Sequence, residues 1–180
     1  MAGFTLAEAT LVTAILAVAA GVALPSAAPL AEVRLDAAAS EVVAALRFAR
    51  EDAMRTHDYR MVTCNTGVNE VRVFRLGIES SYTYESQSDP KLQHPVTQQP
   101  YTIDVGATPA GGNVRLQRCA FAFADGTATA VTFDPDGNPV RGTGDTASQT
   151  QALTGGTVVV NAGAVSRTVT VEPTGRVTAS

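Results

Sequence analysis

Two cysteines, Cys64 and Cys119, and two histidines, His57 and His94, are the only thiols and imidazoles in this 180-residue sequence. Thiolate and imidazole could hold a metal or serve as nucleophile and base, but neither histidine stands at ligand-like spacing from a cysteine. No second cysteine pair exists for a four-cysteine site, so no metal site is expected. The motifs of common enzymes are absent too: no Gly-x-Ser-x-Gly elbow, no His-Glu-x-x-His pair and no phosphate-cradling Walker loop. Gly142-Thr143-Gly144-Asp145-Thr146-Ala147 matches the dinucleotide pattern as a string. It lacks the leading strand and following helix that would aim backbone N–H groups at a pyrophosphate, so it reads as a loop. Asp134-x-Asp136-Gly137 has the opening spacing of a calcium loop without its later ligands, and reads as a turn between strands. His57 reads as a polar residue just past a helix, and His94 lies in a Pro-rich loop. No catalytic constellation and no cofactor site is expected; the chain does not read as an enzyme.

The elements around these residues are uneven in composition. Apolar residues make up 45% of the chain and mean hydropathy is +0.08. Phe4–Leu24 alone holds 16 apolar residues in 21, with Glu8 its single charge, against 63 in 156 from Pro25 onward. As a helix that run spans about 31 Å at about 1.5 Å per residue, the thickness of a hydrocarbon core of about 30 Å. A cleaved secretory signal would carry a basic start and a small-x-small cleavage site. Nothing basic precedes this run, and Ala23-Leu24-Pro25 is a poor site, so a membrane-spanning or bundle-core helix is the better reading. A carboxylate inside such a helix costs a few kcal/mol unless it is paired or at the interface. Glu8 therefore either sits at headgroup depth near the positive helix end or has a partner. Net charge is −4, and 12 of the 13 basic residues are arginine, which excludes a globally basic nucleic-acid coat and a polybasic membrane tail.

From Leu30 to about Thr56 the spacing predicts an amphipathic helix. Leu35, Ala39, Val42, Leu46, Ala49 and Ala53 form one stripe at helical period, with Arg47 and Arg50 read as a solvated face. From Arg60 the period changes to two. Strands are expected at Arg60–Cys64, Glu70–Leu76, Tyr82–Tyr84, Tyr101–Val105, Val114–Leu116, Cys119–Ala124, Ala128–Phe133, Thr157–Val160 and Val165–Val171. Asp125-Gly126 marks a hairpin, and Ser86–Pro100 and Arg141–Gly156 read as surface loops. A long helix followed by antiparallel strands is an α+β arrangement.

Gly3-Phe4-Thr5-Leu6-Ala7-Glu8 ahead of an apolar helix resembles the type IV prepilin processing site. Pro25 matches the helix-bending proline common in those proteins. Arg47–Ala53 leading into the Cys64 strand, Phe133-Asp134-Pro135-Asp136-Gly137, and Val165 through Gly175-Arg176-Val177 are similar to the GspH/FimT branch. That branch comprises the type II secretion pseudopilin H and related minor type IV pilins. The resemblance implies a type IV pilin-like fold, with the first half of the long helix in the membrane and the second half on an antiparallel β-sheet head. Residues 1–3 would be the leader, 4–29 the transmembrane or filament-core helix and 30–180 the periplasmic head. It further implies cleavage between Gly3 and Phe4 by a prepilin peptidase, N-methylation of Phe4, and Glu8 facing the Phe4 ammonium of a neighbouring subunit. The leader lacks the basic residue usual in the family, and Pro29 adds a second break that makes a smooth helix from Pro25 to Pro29 unexpected. The implied role is structural: a single-pass inner-membrane subunit that joins or primes a type II secretion pseudopilus or type IV pilus, with other pilin subunits as partners.

A head outside the cytoplasmic membrane would lie in an oxidising space, where Cys64 and Cys119 are expected to form a disulfide. It would close a loop of 54 intervening residues, worth up to about 4 kcal/mol; the alternative is two buried thiols. In competence-linked relatives a C-terminal Gly-Arg-x-Arg motif is implicated in DNA binding. Here Gly175-Arg176-Val177-Thr178 keeps its first arginine only. Arg115, Arg118, Arg167 and Arg176 could still form a DNA-binding patch if the fold gathers them, the alternative to the structural role; otherwise they are scattered solvated side chains.

Overall fold

A computed structural model describes residues 6–22, 27–75, 92–107, 113–142 and 150–180. The chain divides into two compact units, Met1–Leu30 and Ala31–Ser180. In the first, the apolar run forms α1 (Leu6–Val22), 17 residues with Glu8 in its first turn. Its hydroxyls turn inward: Thr10 donates to the Ala7 carbonyl at 2.9 Å and Thr13 to that of Ala9 at 3.0 Å, which leaves no side-chain donor seeking water. No helix among the described residues is long and apolar enough to cross a membrane. The expected span also included Phe4, Thr5, Ala23 and Leu24, which lie outside the described residues, as do Gly3 and Pro25.

The second helix, α2, runs Ala27–Thr56. Pro29 falls in its first turn, where a missing N–H breaks no helical bond and the fixed φ suits the helix. All six residues of the expected stripe are buried. At the far end His57 takes a left-handed φ of 52°, and the Asp58 N–H returns to the Ala53 carbonyl at 3.2 Å, the bond that closes a helix through a left-handed residue.

Ten strands follow: β1 (Arg60–Asn65), β2 (Glu70–Arg75), β3 (Thr102–Asp104), β4 (Val114–Phe123), β5 (Gly126–Ala128), β6 (Ala130–Phe133), β7 (Pro139–Val140), β8 (Gly155–Ala162), β9 (Val165–Val171) and β10 (Val177–Ala179). They make two antiparallel sheets, β3-β2-β1-β6-β7 and β10-β9-β8-β4-β5. One apolar core joins the α2 stripe to inward residues of both, including Val62, Val71, Phe121, Phe133, Val158 and Val169. The expected hairpin joins β4 to β5, one residue earlier than the Asp125-Gly126 signal: Ala124-Asp125 form the turn and Gly126, at φ 140°, pairs with Phe123.

The two segments expected around Leu116 and Cys119 are one continuous strand, β4, with a bulge between Leu116 and Arg118. The extra residue reverses the alternation. Val114 and Leu116 point to the core, Gln117 and Arg118 are both exposed, and Cys119, Phe121 and Phe123 point to the core again. A bulge places two residues opposite one and shifts the phase of everything beyond it. Conversely, the run expected as Ala128–Phe133 is split at Thr129 between β5 and β6, which belong to different sheets. The expected Tyr82–Tyr84 strand lies outside the described residues.

Candidate functional site

Three groups of residues could carry function: the α1 surface, the arginines of the second unit, and the thiol pair. On α1 every described side chain from Leu6 to Leu16 is exposed, and Leu6, Leu11, Val12, Ile15 and Leu16 are 47–85% accessible. Such a continuous apolar face is a binding surface, and exposed Glu8 is its only charge.

The arginines divide by sheet face. On β4, Arg115 stands opposite Asn161 and, beyond the bulge, Arg118 stands opposite Val159; both are exposed on the outward side. Arg167 stands opposite the buried Val160, hence on the core side. There its Nε donates to Asp36 Oδ1 of α2 at 2.6 Å. Arg176 is exposed in the turn between β9 and β10. Of the four candidate phosphate contacts, Arg115 and Arg118 share a face, while Arg167 is on the opposite face in an ion pair. Asp134, the first residue of the calcium-like string, accepts from the N–H groups of Asp136 at 3.0 Å and Asn138 at 2.7 Å. Its carboxylate thus builds a turn. No group of metal-binding residues occurs among the described residues.

Two arginines read as a solvated face reach across instead. Arg47 Nη2 donates to the Val177 carbonyl at 2.9 Å, and Arg50 Nε to the Gly137 carbonyl at 3.0 Å. They tie α2 to the turn after β6 and to the start of β10. At the end of α2, Arg60 is 3% exposed and donates to Asp52 (2.5 Å), Asp58 (2.9 Å), the Tyr59 carbonyl and the Thr56 hydroxyl. Arg55 adds a second ion pair to Asp52, and Arg75 one to Asp58 at 2.9 Å. Burial pushes the Asp52 and Asp58 carboxyls up, but the surrounding guanidiniums outweigh it and hold both below the usual carboxylate value. Each of the three guanidinium nitrogens of Arg60 has a partner, so the network is a structural clamp between helix and sheet.

Cys64 of β1 and Cys119 of β4 are both buried thiols, 6% and 8% exposed. They come from different sheets and are neighbours in the shared core. That neighbour, together with burial, pushes the Cys64 thiol well above its ordinary value.

A long helix laid on antiparallel sheets, preceded by an exposed apolar helix with one early carboxylate, defines a type IV pilin-like protein. The family model described as type II transport protein GspH matches residues 38–175, and the chain belongs to that family. Two solved structures share the fold. The type IV minor pilin FimU of Pseudomonas aeruginosa superposes with a TM-score of 0.52 at 13% identity, covering 83% of this chain and 90% of that one. The minor pseudopilin EpsH from the type 2 secretion system of Vibrio cholerae superposes with a TM-score of 0.53 at 10% identity, covering 82% and 96%. No curated protein sequence matches the chain. Its role is that of a minor pilin or pseudopilin, a structural subunit.

Proposed function

We propose that this subunit is anchored and assembled through the Phe4–Leu24 segment, after cleavage between Gly3 and Phe4 by a prepilin peptidase and N-methylation of Phe4. The observation that carries the reading is the α1 surface. Leu6, Leu11, Val12, Ile15 and Leu16 are left uncovered, although burying each would contribute about 1.5–3 kcal/mol. Lipid covers them before assembly, in a single pass of the inner membrane with the head on the periplasmic side, and neighbouring pilin helices cover them in the filament.

Glu8 supplies axial register. A carboxylate near a helix start in an apolar bundle needs a cation, and the Phe4 ammonium of an adjacent subunit is that partner. Glu8→Ala should leave the head folded but reduce incorporation at least tenfold, measured by co-purification of the intact subunit with assembled filaments from membranes. Incorporation at the normal level would sink the proposal.

A further inference from the structure

The thiol pair is placed by two devices in different sheets. Without the bulge at Gln117, strict alternation from Val114 and Leu116 would point Cys119 outward; with it, Cys119 enters the core. Beside the bulge, the free edge of β4 is held by a side chain from the β1–β2 hairpin. Asn69, at a left-handed φ of 65°, accepts from the Leu116 N–H at 2.5 Å and donates to the Val114 carbonyl at 3.2 Å through Nδ2. This amide copies a strand's pairing and fastens the first sheet to the second within a few residues of Cys119. Cys64 lies on β1, the strand that feeds the same hairpin, and faces the same core.

We propose that Cys64 and Cys119 form a disulfide that staples the two sheets through the core, and that it closes during folding, before the core does. Both cysteines face one core from strands of the two sheets, so a bond of about 2.05 Å between their sulfurs ties the sheets together directly. The chemistry is thiol–disulfide exchange with an external disulfide, such as that of a dithiol oxidase or oxidised glutathione. One cysteine thiolate attacks the external disulfide, forming a mixed disulfide and releasing one thiol. The second thiolate then attacks the mixed disulfide, joining Cys64 to Cys119 and releasing the other thiol. Two electrons and two protons pass from the cysteine pair to the external disulfide. In the folded chain this route is closed. The attacking species is the thiolate, yet both cysteines are buried, 6% and 8% exposed, and so out of reach of an external disulfide. Staple and fold must therefore form together.

The test uses the full chain in detergent, reduced, and treated with oxidised glutathione at two moments: during refolding from urea, or after refolding is complete. The Cys64–Cys119 linked peptide is then counted by mass spectrometry after alkylation. We expect linkage at least tenfold faster in the first arm. The bridged chain should also show an unfolding equilibrium shifted about a thousandfold toward the native state relative to the reduced chain. Absence of the linked peptide in both arms would overturn the disulfide, and equal rates would overturn the order of events. Neither outcome bears on filament assembly, which the Glu8 experiment tests separately.

Discussion

At the scale of single residues, buried or far-reaching arginines hold the second helix to the sheets. Arg60 sits buried among Asp52, Asp58, Tyr59 and Thr56, and neutralising Asp52 leaves this guanidinium with one carboxylate, Asp58, in place of two. Asp52→Asn should destabilise the head by about 3 kcal/mol in urea unfolding at pH 7. The pH dependence follows from the direction of the shifts. The native pKa values of Asp52 and Asp58 are held below their unfolded value by guanidinium contacts that outweigh burial. Their contribution is complete above about pH 4 and is lost as pH falls from there through the lower native values. The gap between wild type and Asp52→Asn should therefore narrow in unfolding curves taken below pH 4; a gap of constant size would contradict this origin. Arg47 and Arg50 carry a related lesson. Their off-stripe positions fit a solvated face, but guanidiniums have the reach to cap carbonyls of Val177 and Gly137, and periodicity along one helix carries no information about turns more than 80 residues away.

At the scale of elements, local pattern identified α2 and most strands, because burying one face imposes a period of 3.6 or 2 on the chain. It failed where a strand changes phase or sheet. Val114–Leu116 and Cys119–Ala124 look like two strands because the bulge at Gln117 interrupts their alternation. The two-residue β7 and three-residue β10 are too short to show a period. Close packing between strands is equally silent in the sequence. Gly156 lies opposite Phe121, and a Cβ there would stand 2.6 Å from the ring Cδ1 and 3.2 Å from Val171 Cβ. Gly156→Ala should cost about 2 kcal/mol by overpacking. The same change made in a Phe121→Leu background should cost less than about 1 kcal/mol, since the ring that it strikes is gone. Urea unfolding of the four proteins closes the cycle, and equal costs in both backgrounds would refute the steric account.

At the scale of the molecule, the chain falls into an apolar first unit and a second unit with its own core. A fragment of residues 31–180 should stay monomeric without detergent and melt within a few degrees of the full chain. Size-exclusion chromatography and circular dichroism decide this. Aggregation of the fragment would mean that α2 needs its first turn, Ala27–Leu30.

The amino-acid sequence by itself determined what depends on neighbours along the chain: the apolar run with Glu8, the helix stripe from Leu35 to Ala53, the strand-rich remainder, and so the α+β class. The tertiary structure alone decided which way side chains face once the sheets assemble. Arg167 was turned to Asp36 and away from Arg115 and Arg118, and Cys119 was turned into the core by one inserted residue. The physical reason is that strand phase, sheet membership and long side-chain reach are settled by contacts between segments far apart in the chain, which no local period records.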